Sequence, residues 1–143
     1  MDFPTARELD DEDLRLLDAA RTVIEANTDA DSADADGIHT VGAAVMDAEG
    51  RVFPGVNLYH FTGGPCAELV ALGSARAGGA REITRIAAVG CHGRGVLAPC
   101  GRDRQVLSDY HPAWRVIVPT EEGLRSVAVA DLLPGSYRGP EAV

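Results

Sequence analysis

The stretch that most restricts the fold is residues 83–118. A mostly apolar run, ITRIAAVGC (83–91), is followed by a loop, a helical segment over about 100–110 and a second apolar run, WRVIV (114–118). A hairpin does not need so long a connection. A strand, a crossover helix and a second strand make a βαβ unit, in which the two strands run parallel. The remaining elements must be built around that unit.

Leu14, Leu17, Ala20, Val23 and Ile24 recur at helical spacing behind Asp10 and Asp11, either of which caps a helix over about 10–27. HTVGAAVMDAEGRVFPGVN (39–57) reads as two strands joined by a tight turn at 47–50. Its small residues Gly42, Ala43 and Ala44 predict a helix packed closely against the first strand. Pro65 stands at the favoured first position of an apolar helix running to about Ala77. LRSVAV (124–129) is a last strand, and VADLLP a short closing helix. The order is α-β-β-α-β-α-β-β-α. It predicts an α/β fold, a mixed five-stranded sheet between helix layers, in one domain spanning 1–143.

Charge narrows the partners. The net charge is −9. Residues 1–36 hold twelve acids against three arginines, whereas the rest balances ten against ten. That acidity reads as a solvated face on the first helix and the ANTDADSADADG loop. A chain without a basic stripe is not expected to bind a nucleic acid polymer. No apolar run is long enough to span a bilayer, and MDFPTARELDDEDLRLL lacks the pattern of a signal peptide, so the expected compartment is the cytoplasm. Three cysteines in such a chain point to metal or catalysis rather than to disulfides.

Two Pro-Cys pairs open helices. Cys66 and Cys100 each lie in a first turn, where the helix dipole favours a thiolate. Glu68, two residues after Cys66, is placed as a carboxylate beside a metal rather than on it. Asp103, three residues after Cys100, shares its face. This spacing supports a Cys66–Cys100–Asp103 zinc site. The plainer alternatives are small core cysteines and an aspartate that merely complements a helix dipole. Cys91 and His92, at the end of the preceding strand, are rival third ligands, and a chain without a stable metal is the remaining possibility.

At these residues the chain resembles the cytidine deaminase family. Zinc nucleobase deaminases carry a Cys/His-x-Glu motif followed by Pro-Cys-x-x-Cys. Here Cys-Ala-Glu (66–68) and Pro-Cys-Gly-Arg-Asp-Arg-Gln (99–105) match, except that Asp103 stands where the family has its last cysteine. The likeness is greatest to the blasticidin S deaminase branch, in GVNLYHFTGGPCAELVALG, RGVLAPCGRDRQVLSDYHP and LLPGSY. The resemblance implies a three-layer deaminase fold and a Zn2+ cofactor. It implies hydrolytic deamination of the cytosine ring of a small nucleoside or nucleoside antibiotic. Zinc-activated water attacks C4, and Glu68 shuttles the proton.

It also implies that the backbone at Ala67, Ala98 and Pro99 contacts the reacting groups, and that Asn57 and Tyr59 lie at the sugar end. Tyr59 replaces the glutamate with which nucleoside deaminases of the family grip ribose. Tyr137 matches a pocket-closing segment, although the tryptophan expected after it is missing. Arg102 is expected to offset the negative charge of the ligands, and a homotetramer is the expected assembly. Trp114 reads as core or interface. The alternatives are a cytidine or deoxycytidine deaminase of pyrimidine salvage, and an inactive, metal-poor homologue that binds a nucleoside or scaffolds an oligomer.

Overall fold

The computed structural model describes residues 2–34 and 36–140. Its elements, in chain order, are α1 (Asp11–Asn27), β1 (Val41–Asp47), β2 (Val52–Val56), α2 (Ala67–Ala77), β3 (Ile83–Gly90), β4 (Gly95–Leu97), α3 (Gly101–Tyr110), β5 (Arg115–Thr120) and β6 (Gly123–Ala128), followed by a 3-10 turn at Val129–Leu132. The strands form one mixed sheet in the order β2-β1-β3-β5-β6, with β4 paired to β3. The β3–β5 pair is parallel, as the crossover requires, with Ile86 opposite Val116. The β1–β2, β1–β3, β3–β4 and β5–β6 pairs are antiparallel.

The sheet has six strands rather than five. The extra one, β4, is three residues long and lies in the segment expected to be loop. It turns back on β3 through left-handed backbone at His92, Gly93 and Gly95, with φ of 51°, 72° and 87°. Three residues are too few to show a period-2 pattern.

The central strands are buried on both faces, and their alternation sorts the side chains. Ala44, Met46, Ala87 and Val89 face Leu16, Leu17 and Ala20 of α1. Ala43, Val45, Ile86 and Ala88 join Ala67, Ala71 and Leu72 of α2 and Leu107 of α3 in the larger core. Trp114 packs at the edge of that core and stacks on Tyr110, with ring centroids 5.5 Å apart. Among the described residues, no helix is long and apolar enough to cross a membrane.

The close helix–strand approach expected at 42–44 occurs at Gly42. A Cβ there would lie 2.4 Å from the Ala20 carbonyl oxygen and 2.8 Å from Ile24 Cβ. Gly73, on α2, has nothing within 4 Å of the same position. Gly42→Ala is therefore expected to cost about 1–3 kcal/mol. Gly73→Ala is expected to gain roughly 0.5–1 kcal/mol from helix propensity. Chemical denaturation of the two variants checks the opposite signs.

The acidic start of α1 is not simply a solvated face. Asp10 caps the helix, and Asp13 returns the contact in a capping box. Asp13 is fully buried. The Arg85 guanidinium from β3 reaches Asp10, Glu12 and Asp13 at 2.7, 2.7 and 2.9 Å. Hydrogen bonds from the Asp13 backbone and from Arg85 hold the Asp10 carboxyl down at about 2. Three of the N-terminal acids thus tie α1 to the sheet through one arginine 72 residues further along from Asp13.

Candidate metal centre

The βαβ arrangement sets the starts of α2 and α3 side by side. Cys66 and Cys100 are the residues immediately before the two helices, both extended, with φ/ψ of −64°/158° and −71°/173°. Pro65 therefore precedes the cap instead of occupying the first helical position, and each cysteine sits on the cap itself. Both remain at the positive ends of their helices. Their sulfurs lie 3.4 Å apart. One ligand atom from each of Cys66, Cys100 and Asp103 falls within 4.8 Å of the others, and this is the one such trio of Cys, His, Asp or Glu among the described residues.

Asp103 is held for this position. It is 1% exposed. Its Oδ2 accepts a hydrogen bond from the Cys100 N–H at 3.3 Å. Its Oδ1 is buried without a hydrogen-bond partner. An unsatisfied buried carboxylate oxygen costs several kcal/mol unless a cation or proton meets it. The donor set passes the same test. Zn–S bonds of about 2.3 Å in tetrahedral geometry place two sulfurs about 3.8 Å apart, close to the observed separation. Two sulfurs and one oxygen form a donor set suited to zinc, with a position left over for a small molecule.

Electrostatics point the same way. Burial, the Cys100 thiol and the Asp103 carboxylate together push the Cys66 thiol up to about 12. A divalent cation reverses that logic by favouring the thiolate outright. Glu68, in the first turn of α2, is 5% exposed. Burial raises its carboxyl to about 8, assisted by the charge of Asp103. Glu68 and Asp103 are thus neighbouring carboxyls, one in the ligand trio and one outside it.

Arg102 bridges the two halves of the site. Its Nη2 donates to the Gly64 carbonyl at 2.6 Å and stands 4.0 Å from Cys66 Sγ. The loop it meets folds back tightly. Leu58 N–H donates to Pro65 O at 3.1 Å, and a Cβ on Gly64 would lie 2.1 Å from Leu58 O. On the other half, Arg104 Nε donates to Pro99 O at 2.9 Å and Nη1 to Leu132 O at 3.2 Å. The Pro99 carbonyl is thereby engaged, while Ala98 beside it is exposed. Ala67 is fully buried at the start of α2.

Cys91 and His92, the rival ligands, do not join the trio. Cys91 is 1% exposed and packs with Ile24, Ala30 and Val56. His92 Nε2 meets the Ala30 carbonyl at 2.6 Å. Asn57 spends its amide on its own chain: Oδ1 accepts from the N–H groups of Thr40 and Val41, and Nδ2 donates to Ile38 O. Tyr59 and Tyr137 are 68% and 75% exposed. Gln105 and Asp109, which sequence reasoning passed over, contact the backbone near Tyr137. Their (i, i+4) spacing was visible in the sequence, but their partners are about thirty residues away.

No family model matches the chain. Individual relatives do. A blasticidin-S deaminase from Bacillus cereus is 31% identical over 111 residues, covering 71% of this chain and 79% of that protein. A cytidine deaminase from Halalkalibacterium halodurans is 37% identical over 101 residues, covering 68% and 76%. The crystal structure of a cytidine deaminase from Burkholderia pseudomallei superposes with a TM-score of 0.67 at 33% identity, over 87% of this chain and 98% of that one.

Proposed function

The chain belongs to the cytidine deaminase family, and from that premise we propose that it is a zinc-dependent aminohydrolase acting on the cytosine ring of a small nucleoside. The observation that carries this reading is the convergence of Cys66, Cys100 and the unpartnered Oδ1 of Asp103 beside the buried carboxyl of Glu68. Cys66, Cys100 and Asp103 would hold the zinc, which would supply Lewis-acid activation of water.

The chain's own residues supply the rest. Glu68 takes the proton released when water adds to C4, and gives it to the ring nitrogen beside C4. A second transfer protonates the exocyclic amine, which leaves as ammonia as the C4 carbonyl forms. Glu68 is a buried carboxyl beside the ligand trio and outside it, a position that suits both taking and returning a proton. Arg102, tied to Gly64 and near Cys66 Sγ, offsets the negative charge of two thiolates and a carboxylate. The exposed Ala98 and the start of α2 at Ala67 offer backbone groups to the amine and the water. Tyr59 and Tyr137 line the sugar side. Asn57 acts there mainly by holding the backbone ahead of β1, because three of its polar contacts are internal.

Two substrate readings are separated by experiment. Tyr59, standing where a ribose-gripping glutamate is expected, favours a nucleoside antibiotic of the blasticidin S type. The 37% identity to a cytidine deaminase favours cytidine or deoxycytidine. Loss of cytosine absorbance is measured for cytidine, deoxycytidine, cytosine and blasticidin S, before and after chelator treatment. Turnover of at least one, abolished by chelation and restored by zinc, is expected. Turnover that survives complete metal removal overturns the zinc reading. An assembly of copies belongs to the same proposal. Leu58, Tyr59 and Phe61 stand 53%, 68% and 86% exposed on the loop before α2, an apolar surface that a homotetramer covers.

A further inference from the structure

Of the three donors in the trio, two are sulfur and one is oxygen, and the two sulfurs have a chemistry of their own. Cys66 Sγ and Cys100 Sγ lie 3.4 Å apart, each on a helix cap with extended backbone. A disulfide bond is about 2.05 Å long, so the sulfurs need to close by only about 1.4 Å to bond. Cys100 is exposed and Cys66 half-buried. An oxidant in solution therefore meets Cys100 first, with Cys66 already in contact as the resolving thiol.

The third donor makes this pairing exclusive. Asp103 offers a carboxylate, which cannot enter a disulfide. Cys91, the remaining cysteine of the chain, is buried with Ile24, Ala30 and Val56 and is outside the trio. A trio of thiols pairs in three ways, whereas this one pairs in one.

We propose that Cys66 and Cys100 form a redox modification site: hydrogen peroxide converts the metal-free pair to a disulfide, and the disulfide and zinc exclude each other. The Cys100 sulfur attacks one peroxide oxygen, the O–O bond breaks, and a sulfenic acid and one water form. The Cys66 sulfur then attacks the Cys100 sulfur. The S–S bond forms, the S–O bond breaks, and the hydroxyl leaves with the Cys66 proton as a second water. Two thiols are oxidised and one peroxide is reduced. A dithiol reverses the step by exchange. The disulfide takes away two of the three donors, because sulfur binds zinc as thiolate. The disulfide itself stands on the sulfurs alone, and its exclusion of zinc rests on the zinc reading above.

Peptide mapping tests this without any turnover. The chain has no lysine, and cleavage after arginine leaves the three cysteines on separate peptides, 52–76, 86–94 and 95–102. Chelator-treated protein is exposed to hydrogen peroxide, alkylated, digested without reductant and weighed. The expected product joins 52–76 to 95–102 within one chain, about 2 Da below the sum of the two thiol peptides, with 86–94 alkylated. Dithiothreitol should undo it. Oxidation in guanidinium should also link 86–94, showing that the fold selects the pair. Zinc well above its Kd, added before peroxide, should slow disulfide formation at least about tenfold, since few sulfurs are then free. Oxidised protein should take up zinc only after dithiothreitol. In folded protein, links to 86–94, links between chains, or sulfinic acid at Cys100 in place of the disulfide overturn the site. Disulfide formation at the same rate in protein that elemental analysis shows to be loaded with zinc overturns the exclusion. If neither the reduced nor the oxidised protein binds zinc, the zinc reading fails instead, and the mapping still decides the disulfide by itself.

Discussion

Glu68→Gln is expected to lower kcat by about 10^2–10^4-fold, the usual range for removing a general acid–base group, while zinc content stays at the wild-type level. Glutamine fills nearly the same volume and retains hydrogen-bonding capacity, but it cannot carry a proton between water, ring and amine. Glu68 is outside the trio of candidate ligands, so metal analysis and activity should separate cleanly. Unchanged kcat overturns the role assigned to Glu68. Loss of zinc together with activity would instead make it a ligand.

The same variant has a signature that does not depend on turnover. In chelator-treated protein, burial holds the Glu68 carboxyl at about 8, against an ordinary value of 4.5. A raised carboxyl means that the folded state holds a proton which the unfolded state releases. The stability this contributes is fully present below about pH 4.5 and is lost as pH rises through about 8. The thermal midpoint of the metal-free protein should therefore fall between pH 5 and pH 8. Glu68→Gln has no proton to lose and should flatten that slope. Zinc restored to the site should flatten it as well, because the cation removes the penalty on the carboxylate. A wild-type midpoint independent of pH without metal counts against the buried carboxyl pair.

Much of this centre is legible in the sequence because its parts are local. A helix start fixes Cys66 and Glu68 relative to each other, another fixes Cys100 and Asp103, and the βαβ order at 83–118 allows the two helix starts to lie side by side. The small residues at 42–44 likewise announce the helix that packs closely on β1, at Gly42. What stays hidden is whatever depends on partners distant in sequence. The charge run at 10–13 looks solvated until Arg85, on β3, is seen to gather it. Asn57 looks free to grip a sugar until its amide is found holding residues 38–41. Gln105 and Asp109 are an ordinary (i, i+4) pair until residues 137 and 139 come to lie on it. β4 escapes because two glycines and a strained histidine, rather than its three residues, decide that the chain turns back.

On the proposed zinc reading, replacement of Asp103 gives the second large effect. Asp103→Ala is expected to weaken zinc binding by more than roughly 100-fold, since changes at residues that merely support a ligand already cost about 10–100-fold. Activity should fall with occupancy. Removing this carboxylate also removes the acceptor for the Cys100 N–H, so some affinity is lost through a looser cap on α3. Asp103→Asn isolates that part: it keeps an oxygen for the cap but gives up the charge, and an intermediate affinity is expected. Asp103→Cys restores a third thiolate, a softer donor that zinc favours, and should bind zinc more tightly than the wild-type protein. Cys91→Ser should change nothing, because Cys91 packs with Ile24, Ala30 and Val56 away from the trio. Elemental analysis and competition with a chromophoric chelator measure all four variants. Full zinc occupancy in Asp103→Ala, or its loss in Cys91→Ser, would transfer the third ligand to another residue. The ordering Cys above Asp above Asn above Ala would show that a carboxylate does the work of the missing sulfur, holding the cation less tightly and leaving it open to removal by chelators that a three-thiolate site resists.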